Sequence, residues 1–211
     1  MDSEQLASTK SQVSADYSHV LGGLVWPADR STILEALDDY FSYCYNQDWR
    51  GVSLDIVRSP NFAMLIDWQA GPDDQGSTRT AGVFGVSGRA TKPRDKKRMA
   101  GFYGPTENVF GKGYDKGHFI SRAIGGDDDF ENANLFPQLR HINRGTSDFG
   151  KLYRNIERHC TSAVGTLFFS RPVYQDLSWR PKALEVGTWR DGKFEVYVFP
   201  NVDIESGEPM F

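Results

Sequence analysis

Residues 183–190 and 193–199 flank Asp191-Gly192, and this stretch constrains the fold more than any other. Asp-Gly between two runs rich in β-branched and aromatic residues is a strong hairpin signal, because the tight turn needs backbone conformations that Asp and Gly adopt at low cost. The chain therefore carries antiparallel sheet. It also carries helix: Ile33, Leu34, Leu37, Tyr40, Phe41, Cys44 and Tyr45 form one apolar stripe at helical spacing. Ser31 or Thr32 is expected to cap that helix, with Glu35 completing a box from Thr32, and Cys44 falls on its buried face. Further strands are expected at 52–57, 62–69, 80–86 and 166–170, and a turn-rich loop at 73–78. Helices and strands do not alternate regularly, so the expected class is α+β with a mixed, mainly antiparallel sheet.

A chain of 211 residues with 39% apolar and 13% aromatic side chains has enough material for one core, which excludes global disorder. Residues 1–18 are polar and read as a loose tail, leaving 19–211 as a single domain. The longest nearly apolar run, 20–26, is interrupted by Gly22 and Gly23 and is too short to span a bilayer. The polar start lacks a secretory pattern. Two cysteines, Cys44 and Cys160, make neither a disulfide scaffold nor a cysteine-rich zinc site. These features point to the cytoplasm, or to export without a cleaved signal, and to no membrane partner.

The formal net charge of −4 hides a strong asymmetry. Residues 1–88 sum to −7, residues 89–116 to +5 and residues 139–159 to +3. A locally basic surface on an acidic protein can still hold a polyanion, because exposed charges act mainly within a Debye length, about 8 Å at physiological salt. The plainer alternative is that the basic run is a solvated loop.

The densest chemistry lies between Tyr114 and Glu157. It runs Tyr114-Asp115-Lys116-Gly117-His118-Phe119-Ile120, then Gly125-Gly126, then Asn134-Leu135-Phe136-Pro137-Gln138, then Asn143-Arg144-Gly145. An amphipathic helix follows, with Phe149, Leu152, Tyr153 and Ile156 at helical spacing and Thr146, Ser147 or Asp148 available as cap. Hydrolysis of a phosphodiester needs a base for water, a cation for the phosphate and the departing oxygen, and donors that hold the phosphate in line. His118 is the natural base, with an unperturbed pKa of about 6.5. Asn143 offers a hard amide oxygen suited to Mg²⁺, which takes few protein ligands. Lys116, Arg140 and Arg144 lie close by in sequence as phosphate contacts. His141 and His159 read as surface residues. No H-x-x-x-H or C-x-x-C pattern points to zinc.

The combination of Asp115-Lys116-Gly117-His118, Asn134-Leu135-Phe136-Pro137-Gln138 and Asn143-Arg144-Gly145 resembles the DNA/RNA non-specific endonucleases. These belong to the ββα-metal, or His-Me finger, nucleases. Gln138 to Asn143 keeps the family spacing, and Gly-His-Phe-Ile with Gly125-Gly126 resembles a bacterial branch that appears as toxin domains. The resemblance spans about 45 residues and places the motif at about 112–159. It implies a Mg²⁺-dependent endonuclease, with Mn²⁺ as a substitute, that cleaves DNA and RNA to 5′-phosphate products. It implies His118 as general base, Asn143 as metal ligand, and Asn134 and Gln138 as residues that shape the site and its waters. Lys116 stands where the family has Arg, and acts on phosphate as a point charge rather than a fork. Two readings of Glu157 stand. It is the counterpart of a family Glu that holds metal-bound water, displaced by an insertion over 146–150, or it is a carboxylate on the solvent face of the helix. Arg89, Arg94 and Arg98 are candidates for an upstream Arg at the nucleic acid.

Three other readings are open at this point. The chain could be a delivered antibacterial toxin held by an immunity or inhibitor protein. It could be a nucleic-acid-binding or partner-binding module of the same fold without catalysis, or a protein-interaction domain.

Overall fold

The computed structural model describes residues 16–49, 53–68, 78–90, 106, 111–126 and 131–202. In chain order the elements are helix α1 (Arg30–Asp48) and strands β1 (Asp55–Arg58), β2 (Phe62–Asp67), β3 (Arg79–Val86) and β4 (Tyr114–His118). A 3₁₀ turn (Arg122–Ile124), α2 (Glu131–Asn134), β5 (Leu135–Leu139), α3 (Arg140–Asn143) and α4 (Asp148–Ser162) come next. Strands β6 (Leu167–Val173), β7 (Ala183–Arg190) and β8 (Lys193–Pro200) complete them. The class is α+β, with an antiparallel sheet in the order β1-β2-β3-β6-β7-β8 and a separate β4–β5 pair.

Apart from its edge strand β1, the large sheet packs against other elements on both faces. Phe62, Met64, Ile66, Phe168, Leu184 and Phe199 pack toward β4, β5 and α4. Ala63, Leu65, Leu167, Phe169, Val196 and Val198 pack toward α1. Alternation therefore selects between two cores rather than between core and water. A bulge re-aims β3: Leu65 pairs with Gly82 and Ile66 with Thr80, leaving Ala81 as the extra residue. The hairpin at Asp191-Gly192 forms as expected, with Arg190 paired to Lys193 and Asp191 at φ 49°.

Other expectations shift in detail. Strand β6 runs past the expected Ser170 to Val173 and includes Pro172. The proline costs no ladder bond, because pairing with β3 ends at Ser170. Helix α1 starts earlier than the Ser31 or Thr32 cap implies. Asp29 is its N-cap, and the Asp29 carboxylate accepts the Val25 N–H instead of a helix N–H. Its buried face is Ile33, Leu37, Phe41 and Tyr45, while Cys44 is only half-buried beside them. The loose tail expected through residue 18 fails at Tyr17. That ring is 1% exposed, stacks on Phe169, and its hydroxyl donates to Glu185 at 2.6 Å. Most of the 73–78 loop lies outside the described residues, as does Val52.

Candidate active site

Strands β4 and β5 pair antiparallel, with Tyr114 opposite Leu139 and His118 opposite Leu135. One buried side chain fastens this hairpin to the large sheet. Asn201, just past β8, accepts the Leu139 N–H and donates to the carbonyls of Pro137 and Pro181. Gly117 has a steric reason. A Cβ there would lie 2.4 Å from the Gln138 Cβ and 2.6 Å from its Oε1, so Gln138 folds across the backbone only because residue 117 is glycine.

Helix α4 begins at Ser147, whose Oγ accepts the Gly150 N–H at 3.1 Å. Its buried residues are Gly150, Tyr153, Ile156 and Cys160, with Phe149 and Leu152 half-buried against the same core. Gly150 explains why this face turns inward. A Cβ there would lie 2.5 Å from the His141 carbonyl oxygen and 2.9 Å from that of Ile142. α4 therefore packs directly onto the backbone of α3. His141 is exposed, as expected, whereas His159 is half-buried with Nε2 3.4 Å from the Trp189 carbonyl.

These elements enclose a cavity of about 580 Å³ lined by Lys116, His118, Gln138, Asn143, Arg154 and Glu157, with Ala90, Ser121, Arg122, Ala123 and Tyr153 completing the wall. The hairpin supplies Lys116, His118 and Gln138; α3 supplies Asn143; α4 supplies Arg154 and Glu157. Glu157 is not on a solvent face: its side chain is 12% exposed, with Arg154 Nη1 3.4 Å from Oε2. Burial pushes its carboxyl pKa upward, against the pull of Arg154. Burial also lowers the pKa of the Lys116 ammonium. Arg154 donates to the Asn143 carbonyl at 2.6 Å, and the Tyr153 hydroxyl donates to the His118 carbonyl at 3.3 Å. Helix α4 thus touches both residues that the sequence marks most strongly.

Three of the expected residues stand away from the cavity wall. Asn134, 2% exposed, does not line the cavity. Its Oδ1 accepts the Ile120 N–H at 2.9 Å and its Nδ2 donates to the Ile120 carbonyl at 3.0 Å. Both ends of the amide are spent on the backbone that follows His118, so Asn134 shapes the loop rather than the chemistry. Arg140 and Arg144, read as phosphate contacts, turn to Asp115. Arg140 Nε lies 3.1 Å and Arg144 Nε 2.7 Å from that carboxylate. Among the upstream candidates, Arg89 is exposed next to cavity-lining Ala90, and Arg94 and Arg98 lie outside the described residues.

Sequence reasoning passed over Ser121, Arg122, Tyr153 and Arg154, and gave Asp115 no role. Arg154 left a signal one helical turn before Glu157, Tyr153 stood in the apolar stripe of the same helix and Asp115 in the first motif.

The wall has the character of a site for an oxygen-rich anion with a hard cation. Gln138 is 2% exposed, and its Nε2, a donor, has no partner among the described residues. An orphaned buried donor costs about 1–3 kcal/mol, which a phosphate oxygen or a water would offset. Asn143 presents an amide whose Nδ2 donates to Asp115 at 3.3 Å, leaving Oδ1 as an acceptor. Among the described residues no group of three or more His, Cys, Asp or Glu could hold a metal ion. A cation here would therefore have few charged ligands, and a neutral amide oxygen fits one that keeps most of its waters.

No family model matches the chain, and no curated protein matches it. Among solved structures the chain is similar to one titled "Structure of Sda1 nuclease with bound zinc ion". The two share 19% identity over 72% of this chain and 75% of that one, with a TM-score of 0.38. So distant a likeness carries no argument, and the functional reading rests on the cavity. Among the described residues no helix is long and apolar enough to cross a membrane.

Proposed function

We propose that the chain is a metal-dependent endonuclease that hydrolyses phosphodiester bonds of DNA and RNA with little regard for sequence. One observation carries the reading: a β-hairpin and two helices bring His118, Asn143 and Glu157 to one cavity whose wall also holds Lys116 and Arg154. Asn143 would hold the cation through its amide oxygen, with Mg²⁺ the fitting ion and Mn²⁺ a substitute. When bound, such a cation supplies positive charge to the phosphate and to the departing oxygen. Lys116, Arg154 and the Gln138 amide bind phosphate oxygens and orient the phosphorus. His118 takes a proton from water, whose oxygen bonds to phosphorus as the bond to the 3′ oxygen breaks. Glu157, a buried carboxyl in the same wall, is the group placed to return a proton to that oxygen, giving a 5′-phosphate and a 3′-hydroxyl. Arg140 and Arg144 have no part in phosphate contact on this reading. An immunity or inhibitor protein, if the chain is a delivered toxin, would have to deny polymer access to this cavity.

The test is incubation of the purified protein with supercoiled plasmid, linear DNA and total RNA, with Mg²⁺, with EDTA, and beside His118→Ala. Loss of all substrates only with metal and intact His118 is expected. Salt-sensitive gel shifts without cleavage in Mg²⁺ or Mn²⁺ would instead identify a binding module.

A further inference from the structure

Asp115 does not line the cavity, yet its carboxylate accepts from Arg140, Asn143 and Arg144. Lys116 and His118 line the cavity from β4, whereas Asp115, opposite Gln138 on β5, reaches toward α3. Its carboxylate accepts from Arg140 Nε at 3.1 Å, from Arg144 Nε at 2.7 Å and Nη2 at 3.2 Å, and from Asn143 Nδ2 at 3.3 Å. Burial alone would raise its pKa, but the hydrogen bonds from Arg144, Asn143 and Arg140 outweigh burial and hold it below the ordinary range.

Of the three partners only Asn143 has two ends that differ in function. An amide is nearly symmetric in shape, so packing alone distinguishes its oxygen from its nitrogen poorly. A carboxylate distinguishes them sharply, because two acceptors face to face repel while N–H toward carboxylate is a charge-assisted bond. We infer that Asp115 is a positioning residue: its carboxylate turns the Asn143 nitrogen inward and so presents the oxygen to a cation. The inference rests on the proposed metal-dependent activity. It assigns a role to a motif residue that otherwise reads as a strand-to-helix ion pair.

The test separates positioning from simple bracing. Asp115→Asn keeps shape but puts an amide opposite an amide, which stabilises either orientation of Asn143. Arg144→Gln removes the strongest arm of the ion pair and leaves the Asp115–Asn143 contact. Mn²⁺ binding to the full chain without nucleic acid is read by calorimetry or by the signal of free Mn²⁺, with a thermal melt beside it. Expected is a loss of affinity for Asp115→Asn of about 10- to 100-fold, the usual cost of removing a partner behind a metal ligand. Arg144→Gln is expected to keep wild-type affinity. Equal loss in both variants with a lowered Tm, or wild-type affinity in Asp115→Asn, overturns the role and leaves the nuclease reading standing. Absence of Mn²⁺ binding by the wild type removes the cation from the site and this inference with it.

Discussion

His118 and Glu157 enter the same cavity from different elements, β4 and α4. The His118 carbonyl is tied to Tyr153, and the strand carrying the ring is continued by the Asn134 clamp on Ile120. Truncation at 118 therefore removes chemistry without loosening backbone. His118→Ala should lower kcat by about 10²- to 10⁴-fold. Tm and nucleic-acid affinity should stay near wild type, and a variant keeping most of its turnover would sink the base assignment. Glu157 makes a pH prediction whose sign follows from its burial. Its folded pKa is raised, so the native state keeps a proton that the unfolded chain releases in the ordinary carboxylate range. The native state then binds more protons, and stability falls as pH rises from about 4.3 toward the native value. Glu157→Gln removes that slope. Its Tm should be flatter with pH and lie above the wild-type curve near neutrality, while turnover falls. Parallel curves for the two proteins would show that burial does not hold the proton there.

The hairpin and the helix pair are held by contacts that no sequence pattern announces. Asn201 satisfies three groups from two segments in a site 1% exposed. Asn201→Ala strands the Leu139 N–H and two carbonyls, and should cost about 3 kcal/mol by denaturant melt, since each orphaned group costs about 1–3 kcal/mol. A loss under about 0.5 kcal/mol, ordinary for a surface change, would mean that the hairpin docks by its apolar side alone. Gly150→Ala should separate α4 from α3, because a Cβ meets the backbone carbonyls of His141 and Ile142 rather than a flexible side chain. Activity should fall more than Tm, as Asn143 and Glu157 move apart; equal, small effects on both would show that the elbow relaxes freely. At this scale the sequence is legible where a local pattern suffices: the Asp191-Gly192 turn, the α1 and α4 stripes, and the residues that reach the cavity from β4, β5 and α3. It is not legible where partners are remote. Nothing local tells that Asn134 spends both amide ends on Ile120, that Arg140 and Arg144 converge on Asp115, or that Tyr17 is buried against Phe169. Each depends on which segments meet across the fold.

For the whole molecule the proposed function poses one problem, to hold a polyanion with a net charge of −4. The buried charges of the large sheet leave that sum unchanged, since Arg171 pairs with Glu185, which also accepts from Tyr17. At the cavity Lys116, Arg122 and Arg154 outnumber Glu157. On the proposed function the molecule should repel nucleic acid at long range and attract it at short range, and salt should decide which a polymer feels. The Debye length is about 30 Å at 0.01 M salt and about 8 Å at 0.15 M. At the low end the acidic remainder is felt and slows encounter; near physiological salt it is screened, while the cavity cations act at contact. Higher salt then weakens the contact itself. With three phosphates neutralised, a fourfold rise in salt costs roughly 40-fold in duplex affinity, from a slope of about −0.9 per contact. Plotted against ionic strength, kcat/KM should pass through a maximum instead of falling throughout. A steady decline from the lowest salt would mean that a basic surface dominates the field at every distance, and would move attention from the cavity to the 89–116 segment.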